Sequence, residues 1–123
     1  MTRVRLDVVT MAGNEYVLYE RDGTVQFPHD ELRSGEHPAA GARRVVHAWT
    51  GTDAPKLELV DLRVVAPDVL SLVFRAHLTA EPTGKPVRAK RMELPVTVGD
   101  LKGSDVEEAL KTSLSYKLTR GDA

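Results

Sequence analysis

Only one segment in the first ninety residues can be a long helix, and almost everything around it alternates with the period of a strand. That segment runs from Pro38 to Thr50. A proline in the first helical turn misses no hydrogen bond, and Gly51 supplies a natural C-cap. Ala39, Ala42, Val46 and Trp49 recur at helical spacing and are expected to face a sheet. Before the helix, Val4, Leu6 and Val8 share one face of a strand. Tyr16–Glu20 and Val25–Phe27 then flank an Asp22-Gly23 turn, where glycine provides the positive φ of a tight hairpin. After the helix, Leu57–Val65 and Leu70–Leu78 are separated by Pro67-Asp68. The second of these is almost continuously apolar, the pattern of a central strand covered on both faces. Thr79–Pro86 is expected to be a loop, Arg91–Pro95 a late strand, and Asp105–Leu118 a terminal helix with Val106, Ala109, Leu110, Ser113 and Leu114 as its apolar stripe. The expected class is α+β, with a mixed sheet packed between helices in an α/β/α sandwich.

The 123 residues suffice for one domain, residues 1–123, with one core. A formal net charge of −1 gives no general attraction to nucleic acid or anionic membrane. With no cysteine the chain has neither disulfides nor a thiolate metal site, which fits a cytoplasmic location. Its N-terminus lacks the apolar stretch of a signal peptide, and no run approaches the roughly 18 apolar residues of a membrane span.

The helix and its approach, Phe27 to Thr52, carry a motif frame. Gly35-Glu36-His37-Pro38 precedes the helix, Arg44 follows Glu36 by eight residues, Val46 is aliphatic, and Gly51 closes the segment. This spacing resembles the box of the Nudix hydrolases, whose helix reads arginine, glutamate, aliphatic, any residue, glutamate, glutamate. The order of strands and helices around it is similar too. The departures are specific. His29-Asp30 replaces a glycine pair after Pro28, and Val45, Ala48 and Trp49 stand where the family has its three glutamates.

The resemblance implies hydrolysis of a diphosphate linked to another moiety, with Mg²⁺ on the box glutamates. Mg²⁺ requires hard oxygen ligands, and Val45, Ala48 and Trp49 offer none. The expectation is therefore a Nudix-like fold with degenerate chemistry, a pseudoenzyme that binds a nucleotide derivative or a protein partner as monomer or homodimer, without metal or other cofactor. An atypical hydrolase is the alternative. It would use Mg²⁺ with Asp30, Glu31, Glu36 or Glu93 as its weak candidate ligands and catalysts. A chance match within an unrelated α+β domain is the third reading. In the family pattern Glu36 and Arg44 hold loop to helix, so an ion pair between them is expected, and a helix N-terminus also favours an anion. Trp49 can close the emptied pocket as core or present a stacking surface to a ligand. Arg43, Arg44 and His47 complete the candidate ligand-binding set. His29 and His37 lie near the same segment without the spacing of a metal motif, and His77 is expected to be an ordinary strand residue. Arg88, Lys90 and Arg91 form a second small basic cluster.

Overall fold

A computed structural model describes residues 2–90 of the chain. Seven strands and one helix follow one another as β1 (Arg3–Ala12), β2 (Glu15–Arg21), β3 (Thr24–Gln26), β4 (His29–Glu31), α1 (Pro38–Thr50), β5 (Lys56–Ala66), β6 (Val69–His77) and β7 (Val87–Ala89). The expected Arg91–Pro95 strand, the Asp105–Leu118 helix and Glu93 lie outside the described residues, and with them the second helical layer.

The main path of the sheet is β3-β2-β1-β6-β5. β1 and β6 are parallel at its centre, from Arg3 beside Val69 to Met11 beside His77. The other pairs are antiparallel, so the sheet is mixed, as expected. β2 and β3 close through Asp22 and Gly23, both at positive φ (53° and 78°), the backbone of a tight hairpin turn. β2 and β4 share one edge of β1. β2 takes Met11 and Ala12, whereas β4 takes Arg5 to Asp7. The short β4 was not expected from its charged sequence.

Each face of the sheet has its own core. Leu6, Val8, Leu72, Phe74 and Ala76 pack beneath α1 against Ala42, Val45, Val46 and Trp49. Val9, Met11, Leu18, Val73 and Ala89 form the opposite cluster with Tyr16 and Phe27. β6 is buried from Ser71 to Ala76, the central strand its composition implied. The helix lies chiefly on β1 and also touches β4 and β6. Gly41 allows this close approach, because a Cβ there would come within 2.7 Å of Leu6 Cδ1.

β5 runs antiparallel to β6 with register shifts between Leu59 and Asp61 and between Val64 and Ala66. The first bulge, at Val60, resets the alternation. Leu57, Leu59, Leu62 and Val64 consequently all point to the α1 side, opposite Ala76, Phe74, Leu72 and Leu70. Leu59, Leu62 and Val64 are exposed by 53%, 56% and 74%. Among the described residues no helix is long and apolar enough to cross a membrane.

Candidate functional site

The helix begins at His37, whose φ and ψ of −70° and 134° are extended and whose ring Nδ1 accepts from the Ala39 N–H at 3.2 Å. His37 is thus an N-cap. Gly51, at φ 72°, closes the other end by donating its N–H to the His47 carbonyl at 2.9 Å. Between these caps the buried positions are Gly41, Ala42, Val45, Val46, Trp49 and Thr50. This stripe keeps Ala42, Val46 and Trp49 of the expected set and adds Gly41, Val45 and Thr50, while Ala39 is only half-buried. Of Val45, Ala48 and Trp49, Val45 is 1% exposed and belongs to the core, Trp49 is 9% exposed, and only Ala48 looks outward.

Glu36 and Arg44 form the expected brace. Arg44 Nε donates to Glu36 Oε2 at 2.8 Å and its Nη2 to Oε1 at 3.0 Å, a two-pronged pair. The same guanidinium reaches Asp30 Oδ2 at 3.1 Å and the Glu31 carbonyl at 2.9 Å. One side chain therefore ties helix, preceding loop and β4 together. The Arg33 N–H donates to Glu36 as well, at 3.1 Å. The Arg44 hydrogen bonds, followed by the Arg33 N–H, lower the Glu36 carboxyl from 4.5 to about 2. Asp30 is also lowered, first by the Glu31 N–H and then by Arg44. A depressed carboxyl stabilises the fold fully above its unfolded pKa and loses that contribution as pH falls through its folded value. Glu36 should therefore make the melting temperature fall between about pH 4.5 and about pH 2, and thermal melts of Glu36→Gln should show a shallower fall across that window. Equal slopes in both proteins would remove the brace as an acid-sensitive element.

Where β2 and β4 diverge along β1 the surface opens into a groove of about 640 Å³. Trp49 forms one wall beside His29, Asp30 and Glu31, and the β5–β6 turn contributes Val65, Ala66 and Val69. Arg3, Arg5 and Arg21 also line it. The guanidinium carbon of Arg21 lies 3.3 Å from the Trp49 ring centroid, a cation–π stack. Tyr19 meets the indole edge-on at 6.3 Å between centroids, and His29 at 5.1 Å. Trp49 is thus both core and groove wall, its accessible face covered by an arginine. Arg3 is paired with Glu31. Arg5 donates to Asp7 at 2.7 Å and 3.0 Å. Arg21 donates to no carboxylate or carbonyl among the described residues.

The groove gathers Trp49, Asp30, Glu31 and His29 from the residues singled out in the sequence. It excludes Glu36, Arg43, Arg44 and His47 from its lining. Arg44 is absorbed by the brace. Arg43 is exposed on the helix, and His47, also exposed, faces Asp53 at 3.2 Å. Arg88 of the second basic cluster pairs with Glu15 and Glu81. The arginines lining the groove were missed. Their signal was the odd-numbered Arg3 and Arg5 opposite the apolar Val4, Leu6 and Val8, together with an arginine at the mouth of the Asp22-Gly23 turn.

Among the described residues, the donors around this helix do not fit a hard divalent cation. Val45 and Trp49 supply no oxygen, Asp30 and Glu36 are engaged by Arg44, and Glu31 by Arg3. Among the described residues no three histidine or carboxylate side chains converge on a metal-sized site.

No family model and no curated protein matches the sequence. Solved structures do. An ADP compounds hydrolase superposes at TM-score 0.82 with 17% identity, covering 100% of this chain and 77% of that one. A Nudix hydrolase from Nitrosomonas europaea gives 0.73 with 13% identity over 94% and 90% of the two chains. The MutT protein of Bacillus halodurans gives 0.69 with 14% identity over 93% and 82%. The chain has the fold of the Nudix hydrolases.

Proposed function

We propose that this Nudix-fold chain binds a nucleotide derivative without hydrolysing it and without a metal ion, in the groove walled by Trp49 and Arg21. The observation that carries the reading is the box helix itself. Position 45 is closed into the core, position 48 is a methyl group, and position 49 is an indole under a guanidinium. Metal-assisted phosphoryl chemistry needs oxygen ligands on a fixed scaffold, and this helix presents none. The carboxylates nearby would have to leave arginines to serve instead. A groove of about 640 Å³ is within the usual size of small-molecule sites. The Arg21 guanidinium, stacked on the Trp49 indole, offers a planar surface to a base and N–H donors to a phosphate. One structural neighbour, an ADP compounds hydrolase, points to the same ligand class.

ADP-ribose titrated in the presence of EDTA should change Trp49 fluorescence saturably, and incubation should release no product above a boiled control. Millimolar Mg²⁺ or Mn²⁺ alone should leave the melting temperature unchanged, whereas a one-site ligand at a hundred times its dissociation constant adds about 2.7 kcal/mol. Metal-dependent product release that disappears in Glu36→Gln would replace this reading with that of an atypical hydrolase.

A further inference from the structure

We propose that β5 is the contact surface for a second copy of this chain, joined edge to edge about a twofold axis through the middle of the strand. Among the described residues β5 has a strand neighbour on one side only, β6. It is eleven residues long and carries all four large apolar side chains exposed among the described residues, Leu59, Leu62 and Val64 on one face and Val65 beside them. A long edge with such a row is a template for pairing, and monomeric proteins normally blunt it.

The bulge at Val60 makes the occupant a specific one. Counting outward from the Val60–Asp61 bond, the strand reads alike in both directions beyond those two residues. Two residues away on either side are Leu59 and Leu62 on the α1 face, and beyond them Glu58 and Arg63 on the other. Leu57 and Val64 follow, again on the α1 face. A twofold axis through that bond is what an isologous contact requires. Leu59 then lies against Leu62 of the partner subunit, Leu57 against Val64 of the partner subunit, and Glu58 against Arg63 of the partner subunit. From Leu57 to Leu59 and from Leu62 to Val64, apolar meets apolar and opposite charges meet; only Val60 and Asp61, at the axis, form an unlike pair. The two bulges coincide at the axis, so the bulge that would misalign an unrelated strand is matched by its own copy. A slip of one residue sets the apolar row of each strand against the charged face of the other. A slip of two in one direction sets Glu58 against Asp61 and Lys56 against Arg63, both like-charged. Glu58 is already oriented by Arg75 at 3.0 Å, and Arg63 lies 3.7 Å from Asp61.

The test is sedimentation velocity of the full chain over a wide concentration range. Wild-type protein should be a concentration-dependent dimer. Leu62→Glu should raise the dimer dissociation constant by roughly a hundredfold, since it sets a carboxylate against a leucine of the partner subunit within the apolar row. The exposed position of Leu62 means that its melting temperature as a monomer should change little. The chain has no cysteine, which permits a second measurement without background. A mixture of Leu59→Cys and Leu62→Cys proteins should form a disulfide-linked dimer faster than either protein alone. A wild-type chain that stays monomeric overturns the proposal and assigns the row to a different protein or to another part of this chain. A dimer that survives Leu62→Glu, or cross-links that ignore the predicted pairing, also overturns it.

Discussion

Trp49→Ala should lower the melting temperature by about 10–20 °C, the equivalent of roughly 3–5 kcal/mol for removing a large buried aromatic. The indole is 9% exposed and sits in the cluster that includes Val45, Val46 and Tyr19. Its removal leaves a hole beneath Arg21 and also removes the surface on which that guanidinium rests. For a domain of typical stability, about 5–15 kcal/mol, such a loss brings the fold near its limit. Fluorescence gives an independent reading, because this is the only tryptophan. Wild-type emission should be blue-shifted and weakly quenched by acrylamide. Arg21→Ala should increase quenching while changing stability by only about 1 kcal/mol, since an exposed cation–π contact contributes little more. A mild Trp49→Ala with red-shifted wild-type emission would show that the indole is open surface rather than shared wall.

Arg44→Ala should be the most damaging polar substitution described here, costing about 2–3 kcal/mol. It removes four hydrogen bonds at once and leaves Glu36 and Asp30 close together without their common cation. Arg44→Lys should fall between wild type and Arg44→Ala. Lysine keeps the charge but loses the planar fork that addresses Glu36 with two donors. Urea midpoints of the three proteins should follow that order. The acid dependence assigned to Glu36 should also shrink in Arg44→Ala, because Arg44 is the first cause of its lowered pKa and only the Arg33 N–H still donates to it. Retention of that dependence would assign the shift to the Arg33 N–H.

Much of the fold was legible from punctuation and period. Pro38 and Gly51 bracketed the helix, Asp22-Gly23 marked the first hairpin, and the apolar run after Val69 announced a central strand. Short polar elements were not legible. β4 is three residues, His29 to Glu31, and owes its existence to pairing with β1 rather than to any pattern of its own. Nor could the bulge at Val60 be seen, since Leu59-Val60 and Val64-Val65 read simply as apolar pairs in an alternating strand. The Glu36–Arg44 brace was legible because eight residues separate a loop carboxylate from a helix guanidinium in a known arrangement. The groove was only half legible. Trp49 stood out as a substitution in a motif, but Arg21 belongs to the groove through the hairpin's position in space. Arg43 and His47 looked as suitable in sequence and point elsewhere.

The burial of Val45 bears on the direction in which such a chain can change. A glutamate introduced at that position would place a carboxylate at a site with 1% exposure, among Leu6, Val8 and Phe74. Burying an unpaired charge is among the more destabilising single changes a domain can undergo. Glutamates at 48 or 49 would meet a helix whose neighbouring carboxylates already belong to arginines. A glutamate at exposed position 48 should cost little by itself, but without an acid at 45 a lone carboxylate does not make a site. The packing of Val45 thus sets core stability against any acid at that position, whatever a metal site on this helix would require.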